Sequence, residues 1–271
     1  MIVQGLLVNA AILVVLMLAL WRISIAIDDV SFIDAVWGGA MALLAVTSYI
    51  QLFFTEGGPS GLATVILAMT AAWGVRLFGH LFQRWRREGE DPRYQRILSK
   101  DRDNGTFARA ALVKVFGMQA VLLFLVSSPA QVGILAAEHP QELDLVAWAG
   151  VALFLVGVAF EWIGDYQLER FRADPANKGN VLDTGLWRYT RHPNYFGDAC
   201  AWWGIWLAAA SQGWEVALWT IAGPIFLTFT LTRWSGVTLL EKGMSKSRGD
   251  KYGEYKRRTS AFVPLPPKSG S

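Results

Sequence analysis

A single cysteine, Cys200, in 271 residues leaves no room for an intrachain disulfide. It falls inside an apolar run, where a thiol behaves as a small core residue. Histidine is almost as scarce. His80, His139 and His192 lie far apart, and neither His-Glu-x-x-His nor Cys-x-x-Cys spacing offers a metal site. No Gly-x-Gly-x-x-Gly stands between a strand and a helix, and there is no Walker loop. A nucleotide pocket must therefore be built from helix ends and loops rather than a Rossmann unit. Charge is thin too, 17% of residues against 53% hydrophobic, a balance that a soluble domain of this length rarely shows. There is no convincing internal repeat and no separate soluble domain. The first apolar run lacks a preceding basic region, so it reads as a retained span rather than a cleaved signal.

What the chain does have is apolar runs of near-spanning length and 13 tryptophans. They predict an all-α, polytopic membrane protein with about seven transmembrane helices, residues 1–271 forming one membrane domain. The expected spans are Ile2 to Leu20, Phe32 to Phe54, Leu62 to Phe82, Ala110 to Val126, Leu145 to Gly164, Tyr195 to Ala210 and Glu215 to Thr232. Pro224 is expected to kink the last of these. Glu56 to Gly61 reads as a turn and Glu138 to Asp144 as an acidic loop. Of the 25 Lys and Arg, 8 fall between Gln83 and Arg109, 5 between Tyr166 and Asn194 and 9 from Arg233 onward. The loops after the second, fourth and sixth spans carry none. Seven alternating spans place every basic loop on one face, which the positive-inside rule makes cytoplasmic, with the N-terminus outside and the C-terminus cytoplasmic. Basic loops that set topology in this way do not point to nucleic acid.

The densest polar patch is Leu186-Trp187-Arg188-Tyr189-Thr190-Arg191-His192-Pro193-Asn194-Tyr195-Phe196-Gly197-Asp198. Pro193 suits the entry to a helix and pushes His192 towards an extended conformation. Asn194 then lies near the cap and Asp198 about a turn further. A helix start flanked by arginines can hold an anion; the same residues also suit a membrane-entry anchor. Glu161, Asp165, Glu169 and Arg172 follow i, i+4, i+8, i+11 and form one polar stripe, either part of a ligand site or a solvated helix end. Arg233, Glu241, Tyr252 and Tyr255 to Arg258 supply another charged and aromatic set.

Ionisable groups inside spans usually face a cavity or a partner. Asp34 reads either as an acid in an apolar cavity or as an interfacial carboxylate paired with a base. Arg76 and His80, four residues apart, share a helix face that could meet it. His80 suits acid–base work near neutral pH or a satisfied interfacial position. Arg76 suits an ion pair or a snorkelling side chain.

From Gly164 to Gly197, and in Glu241-Lys242, Tyr255 to Phe262 and Pro264-x-Pro-Pro, the chain resembles the steroid 5α-reductase C-terminal family of integral membrane proteins. Within it, the chain is similar to the DUF1295-type bacterial and plant subgroup, which implies a bacterial inner membrane. The resemblance implies an NADPH-dependent reductase that transfers hydride to an activated C=C of a steroid-like, isoprenoid or other lipid drawn from the bilayer. The cofactor half would be about 145–271 and the lipid-substrate half about 1–130. By position, Asp165 and Arg172 match a family Asp and Arg, Asn194 matches the asparagine at the nicotinamide end, and Asp198 matches a glutamate. Tyr189, Arg191 and His192 lie in the same motif; Glu161, Arg233 and Glu241 match more weakly. Asn177-Lys178-Gly179-Asn180 departs from a family Tyr-Arg pair. Ile33-Asp34 stands where the family has Gln-Glu, and the third span lacks the family's tyrosine. Asp34 with Arg76 or His80 is then the expected catalytic group.

Arg-His-Pro-x-Tyr also resembles a motif of isoprenylcysteine carboxyl methyltransferases, which implies S-adenosylmethionine as the alternative cofactor. A non-catalytic lipid-binding membrane protein is the third reading.

Overall fold

A computed structural model describes residues 1–55, 58, 60–137, 142–234 and 236–268. The expected turn at Glu56 to Gly61 and the acidic loop at Glu138 to Asp144 lie partly outside these residues, and His139 wholly. The described chain is helical: α1 Ile2–Ile27, α2 Ile33–Thr55, α3 Gly61–Glu88, α4 Pro92–Asp103, α5 Phe107–Val126, α6 Ser128–Leu135, α7 Leu145–Ala173, α8 Pro193–Ala210, α9 Trp214–Trp234 and α10 Val237–Arg258. Six of them, α1, α2, α3, α5, α7 and α9, are long and apolar enough to cross a membrane, which fits a multi-pass membrane protein.

The seventh expected span, Tyr195 to Ala210, is helix α8, and it is not one of the six. It has 18 residues, and Asn194 and Asp198 make its first turns polar. Three boundaries also move. α1 runs through Arg22 to Ile27, with the Arg22 guanidinium lying 5.9 Å from the Trp21 ring centre. α3 and α7 continue past the apolar stretch to Glu88 and Ala173, because exposed Arg, Glu and Gln side chains are good helix formers. Pro224 interrupts α9 as its missing N–H requires: the helix breaks at Ile221 and resumes.

The chain forms two compact units. The first comprises residues 1–147 and 205–223. In it α2 and α3 cross backbone to backbone, since a Cβ on Gly38 would fall 2.5 Å from the Gly74 carbonyl oxygen and one on Gly74 only 2.3 Å from that of Gly38. Small residues at such a crossing let the helices touch where no hydrophobic effect drives them together. A polar network fills the interior. Asn9, fully buried, donates to Ser48 Oγ (2.8 Å) and Gln131 Oε1 (2.9 Å) and accepts from Thr47 and Gln51. Gln131 passes the chain on to Ser127 Oγ at 2.8 Å. Every member has a partner, so helices α1, α2 and α6 are tied without an orphaned polar group.

The second unit comprises residues 148–204 and 224–271. Its frame is a glycine seam between α7 and α8. Gly150, Gly157 and Gly164 are spaced by seven, as are Gly197 and Gly204. Cβ atoms at Gly157 and Gly197 would each fall 2.5 Å from the other's carbonyl oxygen, and one at Gly204 would fall 2.6 Å from that of Gly150. A seven-residue repeat keeps one face turned to the partner helix along its whole length. This fixes the register in which the polar ends of α7 and α8 meet.

Candidate functional site

At the open end of the seam Gly164 lies under the His-Pro-Asn turn, with room for a Cβ only 3.2 Å from Pro193 Cγ and 3.3 Å from the Asn194 nitrogen. The Gly164 carbonyl accepts from Trp187 Nε1 at 3.1 Å. Asn194 Nδ2 thereby reaches Asp165 Oδ1 at 3.1 Å. Glu161, buried, lies across Gly197, the residue before Asp198. His192 is buried, its ring stacked on Tyr195 at 5.5 Å between centres and 8° between planes. Three residues ahead of Pro193, Thr190 forms a single parallel bridge with Ser260.

The C-terminal segment is stitched onto this turn. Arg191 N donates to the Ser260 carbonyl (2.9 Å), Thr190 Oγ1 to that of Phe262 (2.7 Å), and Leu265 N to that of Tyr189 (3.0 Å). Tyr255 donates its hydroxyl to the Trp187 carbonyl at 2.5 Å, and Arg258 pairs with Asp183. Arg191 is the centre of the join. Its Nε donates to Glu241 Oε1 at 2.7 Å and its Nη1 to the carbonyls of Thr259 (2.5 Å) and Lys256 (3.2 Å). His192 Nε2 stands 3.4 Å from the same Glu241 oxygen. Burial works against the Glu241 carboxylate, but the close approach of His192 and the hydrogen bond and charge of Arg191 outweigh it and bring its pKa to about 2. Burial, followed by the Glu241 charge, pushes the neighbouring Tyr252 phenol up to about 12.

The motif's charges therefore divide by role. Arg191 is engaged within the fold, whereas Arg188 and Arg233 are exposed and have no side-chain hydrogen bond or ion pair among the described residues. Arg172 is exposed near the end of α7, and Tyr189 is 43% exposed with its backbone used by the tail. The second unit thus presents an amide oriented by a carboxylate at Asn194–Asp165 and exposed guanidinium groups at Arg188 and Arg233, the kind of group that bonds an oxyanion bidentately.

In the first unit Asp34, on the first turn of α2, is held by two residues of α4. Tyr94 Oη donates to its Oδ1 at 2.6 Å and Arg93 Nη2 to its Oδ2 at 2.7 Å. The chain continues inward: Gln119 Nε2 donates to Tyr94 Oη (3.3 Å), and Trp37 Nε1 donates to Gln119 Oε1 (2.6 Å). Burial, then the charge and hydrogen bond of Asp34, drive the Tyr94 phenol far above its usual range. Beside Asp34 is a cleft of about 80 Å³ lined by Ser31, Ala35, Leu81, Trp85, Glu88 and Asp91 among others. Arg76 and His80 are half-buried on one face of α3.

Arg93 and Tyr94 fall in Gln83 to Arg109, a stretch that reads from its sequence as a hydrophilic connector. A signal was present. Asp91-Pro92 is an N-cap followed by proline at the first helical position, and Asp91 does cap α4 by accepting from Arg93 N at 2.8 Å.

Comparison with known proteins adds three findings. The sequence model of the family described as "Protein of unknown function (DUF1295)" matches residues 20–259. The chain is 22% identical over 269 residues to an uncharacterized protein of Schizosaccharomyces pombe, covering 90% of this chain and 75% of that protein. It is 27% identical over 118 residues to the 3-oxo-5-alpha-steroid 4-dehydrogenase 1 of Rattus norvegicus, covering 43% of this chain and 40% of that enzyme. No solved structure matches.

Proposed function

This chain belongs to the DUF1295 family, and from that premise we propose that it is a membrane reductase using NADPH to saturate an activated C=C of a lipid. The observation that carries the reading is the distant similarity to the rat steroid dehydrogenase, which the chain shares over less than half its length. The substrate class we assign is a conjugated carbonyl lipid from the bilayer: steroid-like, isoprenoid or another enone. Counting α8 as a seventh crossing beside the six longer helices, we take the basic connectors and the C-terminus to face the cytoplasm, where NADPH is available, and the N-terminus to face outward.

NADPH, when bound, supplies the hydride, which adds to the β-carbon of the enone. Asn194, oriented by Asp165, belongs at the nicotinamide end, with Asp198 and Glu161 beside it. Arg172, Arg188 and Arg233 belong at the phosphates. Tyr189, His192, Arg191 and Glu241 shape the turn that carries these groups. At the substrate end the electrons of the C=C move onto the carbonyl oxygen, and a proton completes the reduction at the α-carbon. Asp34, which lines the cleft, is the group best placed to hold that proton, with Arg76 and His80 the further candidates on α3. Tyr94 is a positioning residue: its hydroxyl proton is given to Asp34 Oδ1 and its oxygen accepts from Gln119, while Arg93 holds the other carboxylate oxygen.

The deciding experiment measures thermal shifts of the purified protein with NADPH and with S-adenosylmethionine. A ligand at a hundred times its Kd stabilises by about 2.7 kcal/mol. NADPH is expected to stabilise, and Asn194→Ala and Arg172→Ala to weaken that effect. Stabilisation by S-adenosylmethionine alone makes the chain a methyltransferase. Stabilisation by lipid and by neither cofactor makes it a non-catalytic lipid binder.

A further inference from the structure

Helix α4 is tethered at both ends. Three residues, 89–91, join it to the spanning helix α3, and three more, 104–106, join it to the spanning helix α5. Connectors this short reach roughly 10 Å when extended, so α4 stays at the membrane surface where α3 ends and α5 begins. Its two faces are unlike. Tyr94 and Leu98, four apart, are buried. Arg93 and Arg102 are drawn inward onto Asp34, Asp91, Glu90 and Asp28. The outward face exposes Arg96, Ile97 and Lys100, with Ile97 54% exposed between the two cations.

Arg86 near the end of α3 and Arg109 near the start of α5 are exposed on either side of α4 in the sequence. Among the described residues, none of Arg86, Arg96, Lys100 and Arg109 has a side-chain hydrogen bond or ion pair. The local acids are mostly spent. Glu88 pairs with Arg84, Glu90 with Arg102, and Asp101 with Lys114, leaving Asp103 as the acid of α4 with no such bond. Four uncompensated cations around an exposed isoleucine, held at the interface, match a surface of phosphates over an acyl boundary.

We propose that the outward face of α4 docks on anionic phospholipid headgroups of the leaflet it lies against, through Arg96 and Lys100 with Arg86 and Arg109 flanking. Ile97 inserts at the boundary between headgroup and acyl chain. Because the same helix carries Arg93 and Tyr94, which hold Asp34, lipid charge then steadies the Asp34 cluster. This inference does not depend on the reductase reading.

Hydrogen exchange of the full-length protein in nanodiscs tests it. In discs mixing phosphatidylglycerol with phosphatidylcholine, α4 amides are expected to exchange more slowly than in phosphatidylcholine alone. Each basic side chain near the surface contributes about fivefold. The Arg96→Gln, Lys100→Gln double variant loses that difference while α2 keeps its protection. Arg96→Lys, which preserves the charge, keeps it. Equal exchange of the wild type in the two lipid mixtures overturns the proposal, as does a lipid difference that survives in the double variant. Equal slowing by inorganic phosphate added to phosphatidylcholine discs also overturns it, because the site then reads a free anion rather than a headgroup.

Discussion

Removing the Arg191 side chain should release the C-terminal segment while leaving the membrane helices intact. Arg191 is 11% exposed and Glu241 18%, so their ion pair is largely shielded from solvent. Arg191→Met deletes the bond to Glu241 and those to the Thr259 and Lys256 carbonyls, leaving a half-buried carboxylate facing only His192. An exposed pair of this kind is worth under about 1 kcal/mol, whereas breaking a buried one costs about 3–5 kcal/mol. The exposures place this pair nearer the second case, so about 3 kcal/mol is expected, or roughly a hundredfold in the local opening equilibrium. Glu241→Gln keeps an acceptor for Arg191 Nε but removes the charge, and should cost about 1–2 kcal/mol.

The readout is hydrogen exchange, or tryptic cleavage, across residues 237–268, with α2 and α3 as internal references. pH gives a second handle on the same join. The folded pKa of Glu241, about 2, lies below its ordinary 4.5. The stabilisation is therefore complete above about pH 4.5 and is lost as the pH falls towards 2. Tail opening should be flat with pH above about 5 and rise below 4.5 in the wild type, and the rise should vanish in Glu241→Gln. Unchanged tail exchange in Arg191→Met refutes the reasoning. So does loss of NADPH binding in that variant with the tail still closed, since Arg191 would then be a direct ligand rather than the fastening of the turn.

Two further outcomes follow from the packing. Asn9→Leu removes five hydrogen bonds from the interior of the first unit and should lower thermal stability by about 1–2 kcal/mol. Adding Gln131→Leu should cost less than its single-variant value, because the partner is already lost. Gly157→Val drives a side chain into the Ala201 nitrogen and the Gly197 carbonyl, both backbone atoms at 2.5 Å, and should cost about 1–3 kcal/mol or more. Gly79→Ala, where no atom lies within 4 Å, should be neutral or stabilising by under about 1 kcal/mol in the same melt.

The helical membrane architecture was legible because it rests on bulk properties: long apolar runs, and basic residues confined to alternate connectors. The seam joining α7 to α8 is present in the sequence as glycines at 150, 157, 164 and at 197, 204, but their spacing alone does not say which helix faces which. The resemblance pointed to Asn194 and Asp165 separately; their hydrogen bond at that seam's end comes from the register in which α7 and α8 pack. Partnerships set by chain geometry away from such a register were not legible. Asp34 takes its partners from α4, 59 and 60 residues on, and nothing in hydropathy says which face of a short amphipathic helix turns inward.

Arg191 shows the deeper limit, because a motif displays charge and not how that charge is engaged. Arg188 and Arg191 look alike in the sequence and differ by three positions. On a 3₁₀ turn leading into an extended pair, that step carries one guanidinium to solvent and the other into contact with three groups of the C-terminal segment. Spending one arginine to fasten the turn is what makes the other usable. A guanidinium on a loose loop loses much of its binding energy to ordering the loop, whereas Arg188 sits on a backbone already fixed by Tyr255, Thr190 and Arg191. Within the motif, Arg191 is thus engaged by the fold, and Arg188, three positions earlier, is the guanidinium left exposed on the fixed backbone.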